Sequence, residues 1–252
     1  MLTIARDIAL ALDANAFAEA IGITPDPWQA KLLADPPRRG LLNCSRQSGK
    51  STTVSILALH TAAFEPNSLV VLVAPAQRQS AELLRTIRQM HNQVDGLPEL
   101  VGDSVLRVEM RNGSRIMALP GDGGGKTIRG LAGVRLAIVD EAARVDDELF
   151  AAVRPMLATR HDGALILLST PAGKSGQFYT LWHNGDSAWT RVRVPASECL
   201  RISKQFLAEE LKELGAARFS EEYELAFVDS DVAAFPTTLI ESCFNRGATW
   251  LW

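Results

Sequence analysis

The ten residues Asn43-Cys44-Ser45-Arg46-Gln47-Ser48-Gly49-Lys50-Ser51-Thr52 constrain the fold of this chain more than any other stretch. An apolar run ends at Cys44 and helical spacing begins near Lys50, so the segment reads as a strand-to-helix turn. Such a turn binds phosphate: backbone N–H groups surround the oxygens, a lysine neutralises them and a hydroxyl reaches Mg²⁺. Gly49, Lys50 and Ser51 fill these places, with Ser45, Gln47, Ser48 and Thr52 completing the loop and first helical turn. The first glycine of the G-x-x-x-x-G-K-[ST] pattern is replaced by Cys44. Arg46 lies within the loop, where a cation needs a phosphate or a carboxylate partner.

The rest of the chain has the rhythm this turn requires. Short apolar runs alternate with helix-like segments, the signature of a parallel sheet with crossover helices. Strands are expected near 40–44, 69–74, 135–139, 164–169 and 190–194, and helices at 50–63, 78–94, 146–158 and 204–214. Residues 104–119 differ: two alternating runs flank Asn112-Gly113, a two-residue hairpin turn signal, so a β-hairpin inserted in the core is expected. A glycine-rich loop at 121–125 then leads to Lys126 and Arg129.

A phosphate loop needs a carboxylate on a neighbouring strand for Mg²⁺ and a further acid to activate the attacking water. Leu136-Ala137-Ile138-Val139-Asp140-Glu141 supplies both, with Asp140 and Ser51 for the metal and Glu141 as general base. The next apolar run ends in Ser169-Thr170-Pro171, where hydroxyls could sense the terminal phosphate. Upstream, the Gln29 amide can donate and accept toward an adenine edge, with Trp28 packing nearby. Charge on a transferring phosphoryl group also calls for an arginine, and Arg46 and Arg129 are the candidates.

Composition narrows the class. At 47% hydrophobic and 22% charged residues the chain can bury a substantial core, which excludes general disorder. Its longest purely apolar stretch is far shorter than the roughly 20 residues that span a bilayer. The first twenty residues read as an amphipathic helix, because Arg6, Asp7, Asp13 and Glu19 interrupt any secretion-signal pattern. Three scattered cysteines and four histidines offer no zinc spacing. The net charge of −3 is uneven: residues 36–135 hold thirteen basic and seven acidic side chains, net +6, and residues 198–231 hold four and nine, net −5. The basic stretch could face a polyanion.

Ser45-Arg46-Gln47-Ser48-Gly49-Lys50-Ser51-Thr52, the Trp28-Gln29 pair, Ile128-Arg129-Gly130, Val139-Asp140-Glu141-Ala142-Ala143 and Ser169-Thr170-Pro171 together resemble, in order and spacing, the ATPase domain of the large terminase subunit of tailed bacteriophages. The resemblance covers roughly residues 22–230, and an arginine-containing loop without its first glycine is itself a habit of that family. It implies an α/β P-loop NTPase of the ASCE, RecA-like kind, with a mainly parallel sheet flanked by helices, an inserted hairpin and a small helical lid. It implies an ATP hydrolase using ATP and Mg²⁺ to move double-stranded DNA into a procapsid through a portal protein. A small terminase subunit and a homo-oligomeric ring are the implied partners, in the cytoplasm of an infected bacterium. By the same resemblance Gln29 contacts adenine, Ser169 and Thr170 couple hydrolysis to movement, and Arg129 completes the site of an adjacent subunit. The expected layout is an ATPase core over 1–195, a helical lid over 196–230 and a linker over 231–252. The 252-residue length leaves no space for the nuclease domain of such subunits, so DNA cutting is not expected. A helicase-like translocase, or a nucleotide-binding capsid or portal assembly protein with little turnover, shares most of these motifs. Against the first stand the missing second lobe and the Asp140-Glu141-Ala142-Ala143 sequence, and against the second stands Glu141.

Overall fold

The computed structural model describes residues 2–121, 130–229 and 243. Three helices come first: α1 (Leu2–Leu12), α2 (Ala14–Ala20) and α3 (Pro27–Ala34). The single helix expected over the first twenty residues is broken at Asp13. Its backbone is extended and its side chain accepts the Asn15 N–H at 2.8 Å, which starts α2 as an N-cap. Pro27 opens α3, where its missing N–H costs nothing, and Gln29 accepts the Asp26 N–H at 2.8 Å.

The chain then alternates: β1 (Arg39–Cys44), α4 (Lys50–Phe64), β2 (Leu69–Ala74), α5 (Gln77–His91), β3 (Leu100–Ser104), β4 (Arg107–Met110), β5 (Arg115–Pro120), β6 (Leu136–Asp140), α6 (Asp147–Met156), β7 (Ala164–Ser169), α7 (Gly176–Asn184) and β8 (Thr190–Val194). One sheet takes all eight strands in the order β3-β4-β5-β2-β6-β7-β1-β8. Pairing is parallel from β5 through β8 and antiparallel among β3, β4 and β5.

Alternate residues of the central strands feed two separate cores. Leu42, Leu72, Ile138 and Ile166 face α1 to α5, and Val71, Val139, Leu165 and Leu167 face α6 and α7. Burial on both faces explains why these strands read as unbroken apolar runs instead of alternating ones. Each such side chain contributes about 1.5–3 kcal/mol when fully removed from water.

The predicted hairpin is present but larger. β5 pairs parallel with β2, so the hairpin extends the core sheet, and β3 adds a third antiparallel strand. Its turn has three residues: Met110 N–H donates to Ser114 O and Gly113 N–H to Met110 O, and Gly113 is left-handed at φ 83°. A Cβ on Gly113 would stand 2.3 Å from Asn67 Oδ1, and the Asn112 amide donates to Ala62 O and Ala63 O at the end of α4. The turn is therefore sized by its docking on a helix.

After β8, α8 (Lys204–Leu214) and α9 (Ala216–Glu222) form a helical pair separated by Gly215. Tyr223 closes it, buried and stacked on Phe219, and its carbonyl accepts the Ala196 N–H at 2.9 Å. The expected linker over 231–252 lies outside the described residues apart from Cys243. No described helix is long and apolar enough to cross a membrane.

Candidate active site

Parallel pairing brings the carboxyl ends of β1, β6 and β7 together, with Asn43 opposite Ser169 and Asp140 opposite Leu168. In open α/β sheets ligands bind at this end. The loop after β1 is where Cys44 displaces the expected glycine, and the structure shows why that is tolerated. Cys44 is still in β1 and its side chain is fully buried in the core, where burial pushes the thiol up to about 12. The left-handed backbone falls later, at Gln47 (φ 58°) and Gly49 (φ 87°). At φ 87° a side chain at position 49 would be strained, and a Cβ there would lie 2.6 Å from Gln29 Nε2 and 2.8 Å from Arg201 Nη2 and force them to shift, which favours glycine. No side chain caps α4, leaving its first-turn N–H groups to face the loop.

Lys50 and Ser51, in the first turn of α4, meet the two acids directly. Lys50 Nζ is 3.0 Å from Glu141 Oε1, and Ser51 Oγ donates to Asp140 Oδ2 at 3.1 Å. Asp140 Oδ1 accepts the Glu141 N–H at 2.9 Å. Burial, and then the neighbouring Glu141 carboxylate, raise the Asp140 carboxyl above the ordinary aspartate range, against the pull of Lys50. Glu141 is held at φ 50°, a left-handed conformation that costs a non-glycine residue about 1–3 kcal/mol. The turn that follows holds it there, with Arg144 N–H donating to Glu141 O at 2.8 Å.

Ser169 and Thr170 are buried at the end of β7. Ser169 Oγ accepts the Ala143 N–H at 3.2 Å, and Thr170 Oγ1 accepts from Arg144 Nη1 at 3.0 Å, so both touch the turn carrying Glu141. Of the two partners open to Arg46, the structure supplies the carboxylate: Nε and Nη2 hold Glu222 of α9 at 2.8 and 3.1 Å. Gln29 is almost fully buried and its amide is engaged at both ends, with Nε2 donating to Gly49 O (3.3 Å) and Thr53 Oγ1 (2.8 Å). It braces the loop, and reaching an adenine edge would require it to share those bonds. Trp28 packs on the core beside it with its Nε1 buried and unpartnered. Ser45 Oγ lies 3.9 Å from Cys199 Sγ, Ser48 Oγ is buried without a partner, and Thr52 is half-buried in the first turn of α4. Arg129 and Lys126 lie outside the described residues.

Three residues of this site were missed in the sequence. Arg144 follows Glu141 by three positions and bonds its Oε2 at 2.8 Å. Glu222 and Arg201 come from the far end of the chain, and Arg201 Nη2 ties Ser48 O (3.0 Å) to Asp26 Oδ2 (2.7 Å). Only the spacing of Arg144 from Glu141 could have marked it.

The donor set suits phosphate with a small divalent cation. Two adjacent carboxylates, one of them raised by burial and by the other, form a position that a cation would relieve. Among the described residues no three His, Cys, Asp or Glu side chains cluster as metal ligands. A divalent ion would therefore take Ser51 and Asp140 from the protein and its remaining ligands from water and phosphate, the habit of Mg²⁺.

Comparison with known proteins places this architecture. Residues 41–242 match the family described as terminase large subunit, T4likevirus-type, N-terminal. A probable terminase large subunit of Enterobacteria phage P7 is 27% identical over 224 residues, spanning 77% of this chain and 43% of that protein. The chain thus spans less than half the length of this curated relative. Among solved structures, the large terminase ATPase domain of Thermus phage P74-26 superposes with a TM-score of 0.71 at 21% identity, covering 84% of this chain and 97% of that one. The HK97 bacteriophage large terminase gives 0.69 at 18% identity, covering 85% and 54%. The large terminase of a thermophilic bacteriophage, solved in complex with ADP, gives 0.67 at 12% identity, covering 84% and 53%.

Proposed function

This chain belongs to the terminase large-subunit family of the T4likevirus type, and on that footing we propose that it is an ATP-hydrolysing motor domain that drives double-stranded DNA into a procapsid. The observation that carries the reading is the meeting of Lys50 with Glu141 and of Ser51 with Asp140 at the carboxyl edge of the sheet. That a large terminase of similar fold was solved in complex with ADP supports nucleotide binding.

In this reading the loop N–H groups and Lys50 bind the β- and γ-phosphates. Ser51 and Asp140 would hold Mg²⁺, which would supply charge neutralisation at the phosphate oxygens. Glu141 accepts the proton of the attacking water, and a phosphate at Lys50 frees the Glu141 oxygen now paired with that lysine. Gln29 and Trp28 set the loop that an adenine ring would meet. Ser169 and Thr170 contact the turn bearing Glu141, which is where a coupling element would act. Arg129, by family resemblance, serves the site of an adjacent subunit in a ring. The layout is a core over 1–195 with a lid over 196–230, docking on a portal with a small subunit selecting the DNA.

Phosphate release tests the core of this. Wild type turns over ATP with Mg²⁺, Lys50→Ala loses nucleotide affinity and turnover together, and Glu141→Gln keeps affinity while losing about 10²–10⁴ in rate. Binding without turnover in wild type would replace the motor with a nucleotide-binding assembly protein. Unchanged affinity and rate in Lys50→Ala would remove the phosphate site itself.

A further inference from the structure

Arg144 sits at the end of the short 3-10 turn that follows Asp140-Glu141, and its guanidinium reaches three other groups. Nη1 donates to Glu141 Oε2 at 2.8 Å and to Thr170 Oγ1 at 3.0 Å, and Nη2 to Glu222 Oε1 at 3.4 Å. Glu222 lies at the end of α9, has a side chain only 10% exposed, and is also gripped by Arg46 from the phosphate loop. The other oxygen of Glu141 is on Lys50. These contacts form an alternating run of charge, Arg46–Glu222–Arg144–Glu141–Lys50, that leaves the loop through the helical lid and returns to it through the acid beside the metal site.

We infer that Arg144 is the positioning residue for Glu141 and the joint through which the α8–α9 pair is coupled to it, an inference that rests on the hydrolytic reading above. Lys50 and Arg144 hold opposite oxygens of one carboxylate. When a phosphate competes for Lys50, Arg144 is the described partner that remains, and it fixes the direction of the freed oxygen. Thr170 fixes Arg144 in turn, so the fork reports the end of β7 to the acid. Glu222 adds the lid: moving α9 withdraws a carboxylate from Arg144 and from Arg46 together. A guanidinium is required because its rigid fork serves three acceptors, whereas an ammonium is a single point charge.

The test compares wild type, Arg144→Met and Arg144→Lys in the full chain. Steady-state turnover is measured with ATP and Mg²⁺, affinity with a fluorescent ADP analogue, and amide exchange over residues 216–224 with and without ATPγS. Arg144→Met lowers kcat about ten- to hundredfold, the cost of a misplaced catalytic group. KM, analogue affinity and melting temperature stay close to wild type, and Arg144→Lys recovers part of the rate. Exchange over 216–224 rises in Arg144→Met and stops responding to ATPγS. A kcat within twofold of wild type, or a loss of rate, affinity and melting temperature together, overturns the inference. So does an Arg144→Lys enzyme equal to wild type. Absence of any turnover in wild type defeats the hydrolytic reading by itself, and the exchange measurement then decides Arg144 alone: unchanged exchange in Arg144→Met overturns it.

Discussion

At the scale of single residues, the site is organised by where the backbone turns left-handed and by which charges are given partners. Cys44 is harmless because the strand has not yet ended there, and the need for glycine moves to Gly49, where two side chains close over the Cα. Glu141, the proposed general base, carries backbone strain and is held between Lys50 and Arg144. His60 shows the same logic outside the site. Its ring packs edge-on to Phe17, its Nε2–H donates to Leu10 O at 3.0 Å, and burial lowers its pKa below the ordinary 6.5. The unfolded chain therefore takes up the proton first as pH falls through about 6.5, and folded-state stability declines below that pH until the folded histidine also protonates. Thermal unfolding at pH 7.5 and pH 5.5 should show this loss, and His60→Gln should flatten it; an unaltered slope would mean that other groups carry the acid sensitivity.

At the scale of elements, four of the five expected parallel strands were legible because burial on both faces writes itself as largely apolar runs, whereas β8, at the sheet edge, showed instead as the alternating Thr190-Arg191-Val192-Arg193-Val194. The strand-to-helix turn proposed to bind phosphate was legible for a related reason: Gly49, Lys50 and Ser51 are adjacent in sequence, and their geometry is local. What was not read is what depends on a distant surface. The Asn112-Gly113 signal marks a turn, but its three-residue form follows from docking on the end of α4. Helix α7 is nine residues long, begins at Gly176 and leaves one residue fully buried, so its periodicity is faint. That residue, Phe178, has no exposed surface and anchors α7 beside Trp182 and Phe227. Phe178→Ala should cost about 3–5 kcal/mol in denaturant unfolding, the range for emptying a buried aromatic site. A cost below about 1 kcal/mol would show that α7 is held by its ends instead.

At the scale of the whole molecule, the sheet places the loop, the acid pair and the Ser169-Thr170 hydroxyls side by side, and the segment after β8 returns to the loop through Arg201, ahead of α8, and Glu222 at the end of α9. Whether one chain is a complete enzyme belongs to this scale. If Arg129 serves a neighbour, mixing Arg129→Ala and Glu141→Gln subunits restores turnover that neither has alone, and specific activity rises with protein concentration. Additive, unrescued activity would confine Arg129 to its own chain. By itself the sequence picked out the residues proposed to bind phosphate and metal and the parallel strands that carry them, because those features repeat over a few positions or one strand length. The tertiary structure alone decided the partners of Arg46, Gln29 and Arg144 and the closing of Glu222 over the loop. Those bonds join groups up to 176 positions apart, and no local pattern encodes which distant carboxylate or hydroxyl a buried donor will meet.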